Sequence, residues 1–129
     1  MGVLRTGLAL GMAMVLVAPV MAASPEGIWE IEMRDSRYQV EYCGDGTALC
    51  GTLIWLGKGA DSEKNRPYLN TLMIDHAKPS GPDRWKGELH IYGQTASGTI
   101  TQVSDDEIKL EGCALLVVCK SYRLYRYTD

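Results

Sequence analysis

The residues of this chain most able to do covalent chemistry are its four cysteines, which occur as two close pairs. Six residues separate Cys43 from Cys50, and five separate Cys113 from Cys119. Neither pair has the Cys-x-x-Cys spacing of a zinc site or a thioredoxin-like redox centre. Four cysteines allow three pairings. We expect a disulfide within each close pair, because residues that face each other across a hairpin already lie at disulfide distance.

The other candidates for chemistry are two histidines and one acidic run. His76 lies in a polar stretch beside Lys78, and His90 follows Glu88 on the charged face of a predicted strand. Neither histidine belongs to a Gly-x-Ser-x-Gly elbow or a His-Glu-x-x-His motif. The acidic residues 105–107 lack the regular spacing and the glycine of a calcium loop. The sequence therefore predicts a protein that is not an enzyme, with no catalytic residue, no metal and no cofactor.

Residues 1–22 have the composition of a cleaved export signal. One positive charge precedes an apolar run, residues 8–17, which is too short to span a bilayer with its flanks. Small residues follow, and we expect cleavage after Ala22 or after the next residue. The remaining residues, 23–129, have the length of a single domain. Because disulfides persist in oxidising compartments, we expect a periplasmic or secreted protein.

The charge and hydropathy of the chain exclude two classes of partner from our expectations. The formal net charge is −3, and the chain lacks the cluster of Lys and Arg that marks a nucleic-acid-binding surface. No second apolar stretch is long enough to cross a membrane. We therefore expect no nucleic acid and no membrane span, and the oligomeric state stays open.

The elements that must position these residues follow a period of two, which is typical of strands that bury one face. No stretch after residue 22 has a convincing helical stripe. The predicted strands cover residues 29–33, 38–42, 49–56, 69–75, 89–92, 98–103, 108–111 and 119–127. Turns of hairpin length join most of them. Consecutive antiparallel strands of this kind stack as a sandwich or close into an up-and-down barrel, and we predict an all-β, eight-stranded barrel.

Three residues favour closure into a barrel. Gly27 and Trp29 open the first predicted strand, and Arg126 lies near the end of the last. In a closed meander these two strands are neighbours, so the Arg126 guanidinium could cover the Trp29 indole in a cation–π contact of about 2 kcal/mol. A Gly-x-Trp start with an arginine near the C-terminus resembles the signature of lipocalins and related calycins. That resemblance implies a lipocalin-like barrel.

A longer set of motifs resembles a family of small exported bacterial proteins known as domain of unknown function 2147. The matching segments are Cys43-Gly44, Leu49-Cys50-Gly51-Thr52-Leu53-Ile54-Trp55-Leu56, Asp61 with Asn65-x-Pro67, Trp85-Lys86-Gly87, Gly112-Cys113, Cys119-Lys120-Ser121 and Arg126. The two cysteine blocks carry most of the likeness. The resemblance implies a lipocalin-like scaffold and brings no established activity.

The inward face of the predicted barrel is the candidate binding site. A barrel of eight strands either fills itself with side chains or holds one small ligand, and the sequence leaves both open. The candidate ligand-binding residues are Trp29, Met33, Tyr38, Tyr42, Trp55, Leu89, Leu115 and Leu116. Tyr38 and Tyr42 would supply polar hydroxyls in an apolar pocket. We expect a non-enzymatic protein that binds a small apolar or amphiphilic molecule; the alternative is an interaction module, an inhibitor or effector that meets another envelope protein through its rim loops.

Overall fold

Eight antiparallel strands form a closed barrel in which each strand pairs with the next and the last pairs with the first. The computed structural model describes residues 24–114 and 118–128. The strands are β1 (Gly27–Ile31), β2 (Ser36–Cys43), β3 (Ala48–Leu56), β4 (Leu72–Gly81), β5 (Arg84–Ile91), β6 (Gln94–Ser104), β7 (Glu107–Ala114) and β8 (Val118–Arg126). One 3₁₀ turn, Arg66–Tyr68, lies between β3 and β4. The predicted all-β, eight-stranded up-and-down barrel is confirmed.

The described ranges do not cover every predicted feature. The predicted export signal, residues 1–22, lies outside them, and so do Leu115 and Leu116. Within these ranges no helix has the length and apolar character needed to cross a membrane. The connections fall at two ends of the barrel. We call the end that carries the β1–β2, β3–β4, β5–β6 and β7–β8 connections the open end, and the other the closed end.

The hairpin of β4 and β5 is longer than the sequence indicates. We predicted strands at 69–75 and 89–92, with the polar, proline-containing stretch between them as loop. Instead β4 continues to Gly81 and β5 begins at Arg84. Pro79 is paired with Trp85 in this hairpin although proline has no N–H to donate. Cross-strand packing therefore outweighs the local preference of residues 78–83 for irregular structure.

The closed end is sealed by the residues predicted to close the barrel. Trp29 on β1 pairs with Arg126 on β8, and the Arg126 Cζ lies 4.4 Å from the centroid of the buried Trp29 ring. The guanidinium also donates hydrogen bonds to the carbonyl oxygens of Ser24, Glu26 and Asp105, at 2.9, 2.8 and 2.9 Å. A Cβ on Gly27 would lie 2.7 Å from Arg126 Nη1. Only glycine therefore allows the guanidinium this close.

Both predicted disulfides are present, one at each end of the barrel. Cys43 and Cys50 close the β2–β3 hairpin at the closed end, with their Cα atoms 5.9 Å apart. Cys113 and Cys119 close the β7–β8 hairpin at the open end, with a Cα–Cα distance of 4.0 Å. All four cysteines of the chain are thus paired locally.

A β-bulge in β3 reverses the face of its last residues. Arg37 on β2 pairs with Trp55, whereas the next residue, Tyr38, pairs with Leu53, so Ile54 is the extra residue. Leu53 and Leu56 are consequently buried, and Trp55 lies on the outer face. There the Arg37 Cζ lies 3.8 Å from the Trp55 ring centroid. The predicted inward position of Trp55 is wrong, because strict alternation cannot anticipate one inserted residue.

Candidate functional site

A cavity of about 280 Å³ opens at the open end of the barrel. Its volume lies near the lower limit of roughly 300 Å³ for small-molecule sites. Its rim includes Asp35 of the β1–β2 turn, Ala60 and Asn65 of the β3–β4 connection, and Tyr92 of the β5–β6 turn. Each of three connections therefore contributes to the mouth.

A second chamber of about 210 Å³ adjoins the first. The two share Leu89, Ile91, Leu110 and Tyr122 as lining residues. The second chamber extends towards Ala114 and Val118, the described residues that flank the β7–β8 turn. The interior of the open end is thus a bilobed hollow, and its two lobes meet at Leu89.

The walls of the first chamber are mainly apolar side chains from most of the strands. They include Ile31, Met73, Ile74, Leu89, Ile91, Leu110 and Leu124. The Leu89 side chain lies over Gly98, where a Cβ would be 2.3 Å from Leu89 Cγ, and it borders Gly112, where the corresponding distance to Leu89 Cδ1 is 3.2 Å. Glycine at these positions therefore gives the Leu89 side chain room to pack against the neighbouring strands.

Three hydroxyls form a polar group in this apolar wall. The Ser36 Oγ lies 2.9 Å from the Tyr38 hydroxyl, and both residues are buried. The Tyr92 hydroxyl interacts with that of Tyr38, and Tyr92 also lines the cavity. Burial raises the pKa of Tyr38 and, less strongly, that of Tyr92, so both phenols are neutral. Each hydroxyl can donate one hydrogen bond and accept two, which leaves capacity for a ligand.

The β3–β4 connection forms a strap across part of the mouth. The amide of Gly57 donates to the Asp35 carbonyl at 2.8 Å, and the Asn65 side-chain amide donates to the Ala60 carbonyl at 2.9 Å. These bonds hold the buried Ala60 in the cavity wall. Tyr68 follows in the 3₁₀ turn, and its ring meets that of Tyr92 edge-on, with centroids 6.0 Å apart. The strap is therefore anchored to two sides of the rim.

Apart from Trp55 on the outer face, the predicted ligand-binding residues in the described ranges separate into two groups. Met33, Tyr38 and Leu89 line the cavity, although Met33 is 55% exposed at its rim. Trp29 and Tyr42 do not line it: Trp29 is packed inside the closed end, and Tyr42, at that same end of β2, is 38% exposed. Both residues lie near the closed end, away from the hollow. The position of a side chain along the barrel axis, as well as the face of the strand, determines whether it lines the cavity.

Most polar residues of the site are not indicated by the sequence pattern. Ser36 and Tyr92 stand where strands meet turns, and there alternation says little about direction. Asn65 belongs to the Asp61 and Asn65-x-Pro67 segment that carried part of the family resemblance. That segment was the one signal that pointed to the strap.

The cavity lining offers hydrogen bonds and apolar surface rather than metal ligands. Among its described residues, Asp35 is the single carboxylate, and no histidine or cysteine is present. Side chains with the spacing to hold a metal lie on the outer face of the barrel, at Asp75, Glu88 and His90. The hollow can therefore enclose an apolar body and orient one polar group.

Comparisons with known proteins agree with this architecture. A solved structure of protein HP1028 from Helicobacter pylori, described as belonging to the lipocalin family, superposes with a TM-score of 0.60. The two chains are 15% identical, and the match covers 84% of this chain and 86% of the other, so the likeness establishes the fold alone. No curated protein matches the sequence significantly. Residues 27–126 match a family of uncharacterised proteins conserved in bacteria, DUF2147. The chain therefore belongs to the DUF2147 family, and its fold is lipocalin-like.

Proposed function

We propose that this protein binds a small amphiphilic molecule in the hollow of its open end and has no enzymatic activity. The observation that carries the proposal is the combination of apolar walls with three hydroxyls, those of the buried Ser36 and Tyr38 and of the half-buried Tyr92. Burying apolar surface supplies most of the affinity in such sites, and a few polar groups fix the orientation of the ligand. The apolar part of the ligand would contact Leu89 and Leu110, and its polar part would meet the hydroxyls.

The proposal is tested by filling the hollow. Leu110 borders both chambers, so Leu110→Trp should occupy the space where they meet. We expect the wild-type protein to bind 8-anilinonaphthalene-1-sulfonate saturably, with one probe per chain, and the Leu110→Trp variant to bind it about tenfold more weakly or worse. Probe fluorescence is the appropriate readout, because none of the three tryptophans lines either chamber.

Val103→Trp is the matched control, because Val103 is 52% exposed on β6 near the closed end. It adds the same indole where it cannot reach the hollow, and probe affinity should stay at the wild-type value. Equal affinity in all three proteins would refute binding in the hollow, and so would a wild-type protein that does not bind.

A second candidate function is supported by apolar side chains at the rim. Met33 is 55% exposed and Val118 is 53% exposed, and both border the hollow. They could contact another envelope protein, as the alternative interpretation of the sequence requires. Replacing both with serine should abolish formation of a complex with such a protein, measured by size-exclusion chromatography, while Leu110→Trp should leave the complex intact. Loss of the complex in Leu110→Trp, with an intact complex in the serine variant, would instead support ligand binding.

The proposed site of action is the periplasm or the extracellular space. Two disulfides fit an oxidising compartment outside the cytoplasm. We propose in addition that residues 1–22 are removed on export and that 23–129 form the mature domain. Mass spectrometry of protein isolated from the cell envelope should report a chain beginning at residue 23 or 24, with four fewer hydrogens than the reduced form. A reduced chain of full length would overturn both statements.

A further inference from the structure

Both histidines of the chain lie on the outer face of the β4–β5 hairpin, together with two carboxylates. The His90 Nε2 lies 3.2 Å from Asp75 Oδ2 and 3.3 Å from Glu88 Oε1. The second oxygen of Asp75, Oδ1, lies 2.7 Å from the Nδ1 of His76. These side chains stand outside the barrel, and the hollow lies behind the same strands.

A bulge in β4 places two of these residues side by side. Asp75 pairs with Glu88, but the next pair is Lys78 with Lys86, so β4 contains one residue more than β5 in this stretch. Ile74 and Ala77 are both buried, whereas Asp75 and His76 between them face outward. His76 has a φ of 48°, in the left-handed region where asparagine, aspartate and histidine are enriched among residues other than glycine.

The three closest donor atoms have the spacing of a metal site. One atom from each of Asp75, Glu88 and His90 lies within 4.8 Å of the others. Zinc bonds of about 2.0–2.1 Å in a tetrahedral arrangement place neighbouring donors roughly 3.3–3.4 Å apart. The two distances from His90 Nε2, 3.2 and 3.3 Å, are close to that value.

The hydrogen bonding of the cluster also favours a cation at its centre. Two carboxylate oxygens converge on one ring nitrogen, and a single N–H can be aligned well with only one of them. The Thr95 Oγ1 lies 3.3 Å from the Nδ1 of His90, so it can orient the ring with Nε2 towards the carboxylates. His76 holds the far oxygen of Asp75 in the same way. Such supporting contacts are characteristic of metal ligands.

We propose that Asp75, Glu88 and His90 bind a divalent transition-metal ion, zinc in particular, with His76 and Thr95 as positioning residues. Imidazole with two carboxylates is a donor set that zinc accepts, and two negative charges compensate the charge of the ion. The three side chains are between 35% and 57% exposed, so water completes the coordination.

Zinc titration of the untagged, oxidised protein tests the proposal. Oxidising conditions keep Cys43 and Cys50 in their disulfide, so that their sulfurs, which lie near His76, cannot act as ligands. In competition with a chromophoric chelator we expect one zinc ion per chain. His90→Gln should weaken binding by more than about tenfold, and the positioning change His76→Gln by about tenfold. Glu111→Gln, an outward carboxylate on β7, should leave the affinity unchanged.

A second measurement uses the wild-type chain alone. Because the protein contains only two histidines, its NMR spectrum has two sets of imidazole resonances. Zinc should shift the His90 resonances most, in proportion to occupancy, and should leave probe binding in the hollow unchanged. Absence of zinc binding at millimolar concentration, or binding that persists in His90→Gln, would overturn the proposal without touching the proposed ligand site.

Discussion

Side chains alternate between the inner and outer faces at both ends of the barrel, but the interior is filled at one end and hollow at the other. At the closed end Trp29, Trp85 and Ile100 fill the interior, and Arg126 ties residues 24–26 across it. At the open end two adjoining chambers remain unfilled, and the hydroxyl-bearing residues Ser36, Tyr38 and Tyr92 line the first of them. The interior of one small barrel can therefore be filled at one end and hollow at the other. Residue volume at each level along the axis decides which of the two occurs.

Loss of Arg126 should give the largest difference between the two ends, because it should lower stability without changing probe affinity. Arg126→Ala removes three hydrogen bonds to backbone carbonyls and the contact with Trp29. With a discount for the exposed part of the guanidinium, we expect the free energy of unfolding to fall by about 2–4 kcal/mol. Urea denaturation measures the change.

Probe affinity at the open end should be unaltered in Arg126→Ala, measured at a temperature where the variant is folded. Arg84→Ala removes an arginine that is exposed in the β4–β5 hairpin and should change the free energy of unfolding by no more than about 0.5 kcal/mol. Equal losses in the two variants would contradict the role given to the Arg126 contacts.

The disulfides offer the next largest effect, and a matched pair of variants. In the loop-entropy model either one contributes about 2.5 kcal/mol to stability. Replacing Cys113 and Cys119 with serine loosens the open end and should also weaken probe binding. Replacing Cys43 and Cys50 should cost similar stability and leave probe affinity unchanged, because that hairpin belongs to the closed end. Equal effects on affinity would show that the ends are not independent.

The hydroxyl group of the open end should produce a dependence on alkaline pH. Burial raises the pKa of Tyr38 in the folded chain. Above about pH 10 the unfolded chain therefore releases a proton that the folded chain still holds, and stability falls as the pH rises, by up to roughly 1.4 kcal/mol per pH unit. Tyr92 contributes in the same direction, since its pKa is also raised.

Tyr38→Phe should remove the larger part of this dependence, and near neutral pH it should cost about 1–2 kcal/mol because Ser36 loses its partner. Denaturant midpoints between pH 8 and pH 11 measure both effects. Tyr125→Phe is the control, since Tyr125 is exposed on β8. A slope above pH 10 that is the same in both variants would be inconsistent with a buried Tyr38 phenol.

The smallest effect concerns one turn residue at each end. Asp83 in the β4–β5 turn has a φ of 53°, and Tyr92 in the β5–β6 turn has a φ of 46°. Asp83→Gly relieves an unfavourable backbone conformation and should stabilise the barrel by about 0.5 kcal/mol. Tyr92→Gly relieves similar strain but loses the contacts with Tyr38 and Tyr68, so it should destabilise the protein. Thermal denaturation of the two variants gives the signs; shifts in the same direction would mean that the Tyr92 side chain adds nothing to the rim.

The features that followed from sequence are those encoded locally or by repetition. Alternation predicted eight strands, and cysteine spacing within hairpins predicted both disulfides, since the cross-strand neighbour in a hairpin is near in sequence. The contact of Trp29 with Arg126 was also predictable, because closure of a meander leaves the first and last strands no other neighbour.

The features that could not be predicted from the sequence depend on a single inserted residue or on the level of a side chain along the barrel axis. Ile54 turns Trp55 outward, and the bulge in β4 places His76 beside Asp75 on the outer face, although no sequence motif indicates either. The sequence left open whether the barrel is filled or hollow, because alternation does not report the side-chain volume at each level along the axis. Strand propensity and hydrophobic period do not indicate which side chain faces an empty space inside the barrel.

The pairing of β1 with β8 determines where this ring can come apart. The short strand Gly27–Ile31 forms this pairing through three residue pairs, Trp29 with Arg126, Glu30 with Tyr125 and Ile31 with Leu124. The two strands are the first and the last of the barrel, so they are not consecutive in the chain. Unzipping there would bare two unsatisfied backbone edges at once, and such edges recruit strands from other molecules. Strand exchange between copies, and any fibrous deposit of this protein, should consequently begin at that seam, and the amides of β1 should be the first in the barrel to exchange with deuterated solvent.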